Sequence, residues 1–309
     1  AATQTLTVDS AAPTVTITDD QAAVTVNGDI TFTITFSEEV SGFTASDITV
    51  ANGTAGTFTQ TSPTTYTLVV TPDAGLADNV SVGVAANIAA DLAGNNNTAA
   101  TTATQAVDTA APSAPVITGI TTPNSDSTPT ITITAEAGST VTVYANGAVL
   151  AGNITEVSGT FTFTPTAGLP DGNYRITATA EDAVGNVSAE ATVQDVVIDA
   201  VQAGVPVIAS TSLTNDTTPV ISGTAEVGSS VNVTLGSGAN TSTWTVVATD
   251  GRWSIDTGVA STSTAGTGHT IAVNGANAVS VTATDSAGNV SAAATQTLTV
   301  DSAAPTVTI

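Results

Sequence analysis

Acidic and amide side chains recur in this sequence in three patterns. The motif D-x-x-G-N occurs three times, and its first and last residues are Asp91 and Asn95, Asp182 and Asn186, and Asp285 and Asn289. Aspartates in or near the phrase VDSAAP recur at roughly domain-length intervals: Asp9, Asp108, Asp199 and Asp301. Glutamates follow a predicted strand at Glu38, Glu39, Glu136 and Glu226. Carboxylate and amide oxygens are the ligands that calcium ions take, six to eight at a time.

Calcium is the cofactor that these residues predict. The chain has 26 acidic and 2 basic residues, so carboxylates that converge lack Lys and Arg as counterions. Magnesium demands a stricter octahedron and keeps its waters, whereas zinc prefers Cys, which is absent, and His, which occurs once. A plainer interpretation stays open for each single residue. Asp and Asn are ordinary turn formers, and D-x-x-G-N fits a turn whose side chain accepts backbone hydrogen bonds.

β-Strands must position these residues. Runs such as ITFTITF (30–36) and TPTITITAE (128–136) alternate apolar residues with Thr, which is the pattern of half-buried strands, and no stretch has a helical period. In the middle of the chain we predict strands at 115–120, 129–136, 140–145, 148–155, 159–165, 173–181 and 187–198. Asn-Gly pairs that begin at Asn27, Asn52, Asn146 and Asn274 predict tight hairpins.

Repeats set the domain boundaries. Residues 1–17 recur letter for letter as 293–309, and the phrase around Asp9 returns at Asp108 and Asp301. Each interval has the length of one immunoglobulin-like sandwich, about 100 residues. We therefore predict an all-β chain of three tandem immunoglobulin-like sandwiches in an elongated rod: unit 1 (9–108), unit 2 (109–199) and unit 3 (200–301). Residues 1–8 are the predicted last strand of a preceding repeat, and 302–309 the first strand of a following one.

The topology predicts one acidic site for each unit. Successive strands alternate in direction, so the incoming linker, the turn after the second strand and the turn before the last strand gather at one end. The linker aspartate, the glutamate and the D-x-x-G-N motif would then meet at each joint between units. We predict these residues as the calcium ligands.

Composition excludes several functions. A net charge of −24 excludes nucleic acid as a partner, because phosphate contacts need Lys and Arg. No apolar run approaches the roughly 20 residues of a membrane span, so no direct membrane insertion is expected. No Ser-His-Asp set or other catalytic constellation is present, and we predict no enzyme. His269 is expected in an exposed loop, Arg175 at the surface, and Trp244 and Trp253 in the core rather than on a sugar-binding platform.

The quoted phrases, together with LPDGNYRITATAEDAVGNVSA (169–189) and ITFTITFSEEVSGFTASDITV (30–50), closely resemble bacterial Ig-like repeats of giant surface adhesins of the RTX or biofilm-associated type. The resemblance covers essentially the whole chain. It implies an extracellular protein on a bacterial cell surface, in which the repeats extend a distal adhesive domain and calcium stiffens the joints. The partners would be the adjacent repeats and the distal adhesive domains.

Two other functions remain open from the sequence. The long loops of unit 3, near 236–242 and 257–270, would hold a glycan or protein ligand in a binding module. Alternatively, the copied ends would exchange strands between chains and build a filament by head-to-tail self-association.

Overall fold

The computed structural model describes residues 7–22, 25–237, 240–261, 263–265 and 269–307, without the side chains of residues 237 and 263–265. These residues form three β-sandwiches, and their one helical element is a 3-10 turn at Ala45–Asp47. The prediction of an all-β chain of tandem immunoglobulin-like sandwiches is therefore confirmed. Residues 1–6, 308 and 309 of the two predicted end strands lie outside the described residues, whereas 7, 8 and 302–307 are in no strand.

Unit 1 is a seven-stranded sandwich of two sheets, with strand orders β1-β2-β5-β4 and β3-β6-β7. This four-plus-three order is that of a constant-type immunoglobulin domain. The strands are β1 (Val15–Asp19), β2 (Ile30–Phe36), β3 (Ile48–Ala51), β4 (Gly53–Gln60), β5 (Thr65–Pro72), β6 (Ala77–Val84) and β7 (Ala103–Asp108).

Unit 2 repeats this plan with one additional short strand, in the orders β12-β13-β9-β8 and β11-β10-β14-β15. Its strands are β8 (Val116–Thr118), β9 (Ile131–Thr134), β10 (Thr140–Ala145), β11 (Ala148–Val149), β12 (Gly152–Val157), β13 (Thr160–Pro165), β14 (Gly172–Glu181) and β15 (Gln194–Ile198). The predicted strand 148–155 is wrong as one element. The chain crosses there from one sheet to the other, so β11 pairs with β10 and β12 pairs with β13.

Unit 3 has sheets of three and six strands in the described residues, in the orders β16-β18-β21 and β17-β24-β23-β19-β20-β22. Its strands are β16 (Val207–Ile208), β17 (Leu213–Thr214), β18 (Val220–Thr224), β19 (Ser230–Ser237), β20 (Asn240–Val247), β21 (Arg252–Asp256), β22 (Ser263–Ala265), β23 (Gly275–Thr284) and β24 (Ala294–Val300).

In each unit the last strand has a parallel neighbour from the unit's first third. In unit 3 this neighbour is β17, which pairs in parallel with β24. In units 1 and 2 it is a single bridge, Val26 to Val107 and Asn124 to Ile198. The last strand is thus tied on one edge to the antiparallel strand before it and on the other to an early segment of its own unit.

Each sandwich has its own core, which the Thr alternation predicts. In β2 the side chains of Ile30, Phe32, Ile34 and Phe36 are buried, while the threonines between them are half-exposed. Trp244 and Trp253 both pack in the core of unit 3, as predicted. Arg175 is exposed, also as predicted. Among the described residues, no helix is long and apolar enough to cross a membrane.

The hairpin predictions hold at one of the four Asn-Gly pairs. Asn146 and Gly147 both have positive φ (52° and 79°) and join β10 to β11 as a two-residue turn. Asn52 and Asn274 also have positive φ, but the strands on their two sides do not pair with each other. Asn27 lies in the long loop between β1 and β2 without a left-handed conformation.

Candidate functional site

The three D-x-x-G-N motifs form the same turn. In unit 2, Asp182 Oδ1 accepts hydrogen bonds from the backbone amides of Val184 and Asn186, both at 2.9 Å, and Oδ2 accepts one from Asn186 Nδ2 at 2.7 Å. Gly185 has a φ of 92°, which favours glycine. Asp91 in unit 1 and Asp285 in unit 3 make the same three hydrogen bonds. We call this element the DxxGN turn.

These hydrogen bonds favour the ionised carboxylates. Burial raises the pKa of Asp182 and Asp285, but the hydrogen bonds from the following Asn and from the turn amides outweigh it, so both pKa values are lowered. For Asp91 the side-chain hydrogen bond from Asn95 is the largest effect, and its pKa is lowered as well. A carboxylate has about four lone-pair positions, and three are already used here. The Oδ2 atom of each turn keeps one position for a cation.

The linker aspartates lie against these turns, as the topology predicts. Asn95, Asn186 and Asn289 each donate a side-chain hydrogen bond to the backbone carbonyl of Asp9, Asp108 and Asp199 respectively, at 3.2, 2.9 and 2.7 Å. The side chains of Asp9, Asp108 and Asp301 each accept a hydrogen bond from the amide two residues on, at 3.0 Å. The carboxylates of these three linkers are therefore fixed in orientation by a local turn.

Three carboxylates converge at the start of unit 1. Asp9, Glu38 and Asp91 each offer a carboxylate oxygen that lies within 4.8 Å of the other two. We call them the first-joint cluster. Burial raises the pKa of Glu38, and repulsion from Asp9 and Asp91 raises it further. Glu39 is exposed and lines the same open depression as Asp9 and Glu38. The donor set fits calcium, which takes carboxylate oxygens and tolerates irregular geometry.

The corresponding glutamates of units 2 and 3 are arranged differently. Glu136 and Glu226 are exposed, and each begins a tight turn whose Ser, three residues on, donates to the glutamate's backbone carbonyl. Glu226 Oε2 lies 3.5 Å from the amide nitrogen of Gly204 in the linker. In the described part of units 2 and 3, no three acidic groups come as close together as the first-joint cluster. The linker and turn converge in all three units, and the glutamate joins them in unit 1.

Sequence reasoning did not find several residues that fix the joints. The linker amides of Asp108, Asp199 and Asp301 donate to backbone carbonyls of Val26, Asn124 and Thr214, which no sequence pattern marks. The alternating strand directions do bring the loops of Asp73 and Asp171 beside the joints, and Asp171 accepts a hydrogen bond from the amide of Ala200 at 2.9 Å. Thr109 Oγ1 donates to the carbonyl of Asp73 at 2.7 Å.

The prediction for His269 is wrong. His269 is half-buried rather than exposed, and its Nε2 lies 2.9 Å from Oδ1 of the buried Asn277. Asn277 Oδ1 also accepts the amide of Ala272, while Nδ2 donates to the carbonyls of Ala272 and Leu298. The unit 3 loops predicted to bind ligand fall partly on residues 238, 239, 262 and 266–268, which lie outside the described residues.

Tandem sandwiches with a repeated linker define this chain as a modular repeat protein. Models described as "Bacterial Ig-like domain" match residues 9–107, 117–200 and 207–302. The chain belongs to the bacterial Ig-like domain family. Such domains are typically structural modules without enzymatic activity and typically belong to extracellular or surface proteins.

Comparison with curated proteins finds no match. Among solved structures, the fibronectin(III)-like modules of Clostridium thermocellum CbhA are 16% identical, with 61% of this chain and 95% of that chain covered and a TM-score of 0.37. The Yersinia pseudotuberculosis adhesin InvE is 16% identical, with 62% of this chain and 60% of that chain covered and a TM-score of 0.22. The BSP domain of a biofilm associated protein is 14% identical, with 96% of this chain and 67% of that chain covered and a TM-score of 0.24. With TM-scores this low, these likenesses carry no argument about function.

Proposed function

We propose that this chain is an extender segment of a bacterial cell-surface adhesin, stiffened by calcium at the joints between its units. Its role is to hold a distal adhesive domain away from the cell rather than to bind the target or catalyse a reaction. The observation that carries the proposal is the first-joint cluster of Asp9, Glu38 and Asp91, in which a linker residue meets two turns of the following unit.

The electrostatics of the first-joint cluster favour a bound cation. Three carboxylates within 4.8 Å repel one another, and this repulsion contributes to the raised pKa of Glu38. The chain has two arginines, Arg175 and Arg252, and they belong to units 2 and 3 rather than to unit 1, which holds this cluster. A divalent ion would remove the repulsion and tie the linker to unit 1, because Asp9 precedes the first strand while Glu38 and Asp91 lie in loops of the sandwich.

Calcium titration by calorimetry tests the metal site. Glu38→Gln keeps the shape of the side chain and removes its charge, and we expect it to weaken or abolish binding at the first joint. Glu190→Gln is the matched control, because Glu190 is exposed and lies outside the joint clusters. Asp108→Ala combined with Asp182→Ala tests the second joint. A calcium stoichiometry that none of these variants changes would contradict the proposed ligands.

Small-angle X-ray scattering tests the extender role. The longest strands of each sandwich have about 8–10 residues at about 3.3 Å per residue, so a unit with its end loops is roughly 30–40 Å long. Three units in line then give a maximum dimension of roughly 90–120 Å. We expect that dimension in millimolar calcium and a broader distribution of dimensions in excess chelator. A compact particle in calcium would refute the extender role. An extended particle whose profile does not respond to the chelator would refute only the calcium stiffening.

A further inference from the structure

The linker aspartates are hydrogen-bonded on two sides by two different units. The amide of Asp108 donates to the carbonyl of Val26 in unit 1 at 2.9 Å, while its carbonyl accepts from Asn186 Nδ2 in unit 2 at 2.9 Å. Both bonds act on the main chain of one residue. That residue is also the end of β7, so its backbone is already part of the unit 1 sheet.

The same arrangement recurs at the joint between units 2 and 3. The amide of Asp199 donates to the carbonyl of Asn124 in unit 2 at 2.9 Å, and its carbonyl accepts from Asn289 in unit 3 at 2.7 Å. At each end of the described chain, the linker aspartate makes one of these two hydrogen bonds. Asp9 accepts from Asn95 at 3.2 Å, and the amide of Asp301 donates to Thr214 at 2.8 Å.

We propose that this two-sided bonding is a clamp that fixes the angle between consecutive units without any metal ion, and that Asn186 and Asn289 are the residues that carry it. The clamp bond joins the backbone carbonyl of the linker to Nδ2 of the Asn, and neither of these groups titrates. The same Nδ2 is also oriented by the carboxylate of its own DxxGN turn. The clamp is independent of the calcium proposal and holds whether or not that proposal does.

Other contacts at the joint between units 1 and 2 support the clamp. Thr109 Oγ1 donates to the carbonyl of Asp73 and accepts from the amide of Leu76, which holds the next linker residue on unit 1. Pro112 is already buried in unit 2, so two residues, 110 and 111, separate Thr109 from the next fixed point. A methyl group placed on Gly185 would lie 3.5 Å from Asn27 Nδ2, which shows that the unit 1 loop reaches the DxxGN turn of unit 2.

The joint between units 2 and 3 has a different linker and keeps the clamp. Its phrase IDAVQAG lacks the proline of the other linkers, and within the described residues the side chain of Asp199 does not accept a hydrogen bond from the amide two residues on. Instead, the amide of Ala200 donates to Asp171 of unit 2. The clamp bond from Asn289 to Asp199 is nevertheless the shortest of the three. The side-chain amide is therefore the feature that the joints share, whereas the local linker turn is not.

Distances between spin labels in excess chelator test the clamp. The chain has no cysteine, so Thr59→Cys in unit 1 and Thr155→Cys in unit 2, both at exposed positions, can be labelled alone. With Asn186→Ala we expect a roughly fivefold larger fraction of molecules outside the main distance peak, which is the effect of losing one net hydrogen bond.

Asn95→Ala is the matched control. It removes the same bonds within its own DxxGN turn, but its clamp lies before unit 1 and not between the labels. Broadening by Asn186→Ala alone supports the clamp. No broadening, or equal broadening by Asn95→Ala, overturns it. Should unit 2 fail to fold with Asn186→Ala, as circular dichroism would show, Asn289→Ala with labels at Thr155→Cys and Ser254→Cys gives the same test across the joint between units 2 and 3.

Discussion

Asn97 offers the sharpest test of how the DxxGN turn of unit 1 is supported. Its side chain is 2% exposed and makes four hydrogen bonds. Oδ1 accepts from the amides of Ile88 and Ala89, which precede the turn, while Nδ2 donates to the carbonyls of Ala85 and Thr98. Asn97→Ala leaves all four backbone groups without this partner, one of them in a buried and three in a partly buried position. At about 1 kcal/mol net for each hydrogen bond, unit 1 should lose about 4 kcal/mol of unfolding free energy.

The other two units supply an intermediate variant. At the equivalent positions, Oγ of Ser188 accepts a hydrogen bond from the amide of Ala180, and Oγ of Ser291 accepts one from the amide of Ala283. Each of these serines also donates a hydrogen bond to the backbone carbonyl of the residue that follows it. These correspond to two of the four hydrogen bonds of Asn97. Asn97→Ser should therefore cost about half as much as Asn97→Ala, or about 2 kcal/mol.

Urea unfolding followed by circular dichroism measures both losses. Asn153→Ala is the control, because Asn153 is exposed on β12 and should change the unfolding free energy by less than about 0.5 kcal/mol. A loss below about 1 kcal/mol for Asn97→Ala would refute the reasoning, since it would mean that water replaces the side chain without cost. A loss for Asn97→Ser as large as that for Asn97→Ala would refute the equivalence with Ser188 and Ser291.

Three further predictions follow from the charges and the packing. Without calcium, the raised pKa of Glu38 should make the unfolding free energy of unit 1 fall as the pH rises from about 4.5. Glu38→Gln should flatten this pH profile. A profile that the substitution leaves unchanged would contradict the repulsion of Glu38 by Asp9 and Asp91. The lowered pKa values of Asp182 and Asp285 should stabilise units 2 and 3 above pH 3.8, and this stabilisation should be lost on further acidification. Acid titration followed by circular dichroism measures the loss. Stability that does not fall below pH 3.8 would exclude the hydrogen bonds to these aspartates as a source of stability. Gly223→Ala should prevent unit 3 from folding, because its methyl group would overlap the carbonyl of Val207 and lie 2.8 Å from Trp253. Gly204→Ala, in the same unit and with open space around the new methyl group, should cost much less in the same thermal melt.

Much of the fold follows from the sequence because its signals are local. Thr alternation marks the buried faces, and strands such as β10 and β13 lie within a residue of their predicted bounds. The strand 148–155 was wrong because a change of sheet leaves no mark in an alternating pattern. The Asn-Gly pair at Asn52 shows the same limit. Its left-handed backbone is predictable, but a hairpin also needs both flanking strands in one sheet, which depends on long-range pairing.

The sequence predicts where each joint lies and which segments meet there, but not which side chains contact each other. Alternating strand directions bring linker and DxxGN turn together in every unit. Whether the glutamate joins them depends on the loop that carries it. Glu38 lies in a loop anchored by buried Val40 and Phe43, whereas Glu136 lies in a short turn closed by Ser139. His269 was misplaced for a related reason, since its partner Asn277 is identified by the folded loop rather than by any local pattern.

The parallel pairing of the last strand gives the chain a mechanical property. When the two ends of a unit are pulled apart, neighbouring parallel strands near opposite termini slide along each other, so their hydrogen bonds share the force instead of breaking one after another. Each unit places two such bonds there, for example from the amide of Thr299 to the carbonyl of Ser212 and from the amide of Asp301 to the carbonyl of Thr214. The bonds formed by the amides of Asp108 and Asp199 also belong to the clamps. Tension along the chain is therefore passed from unit to unit through the same residues that set the joint angle.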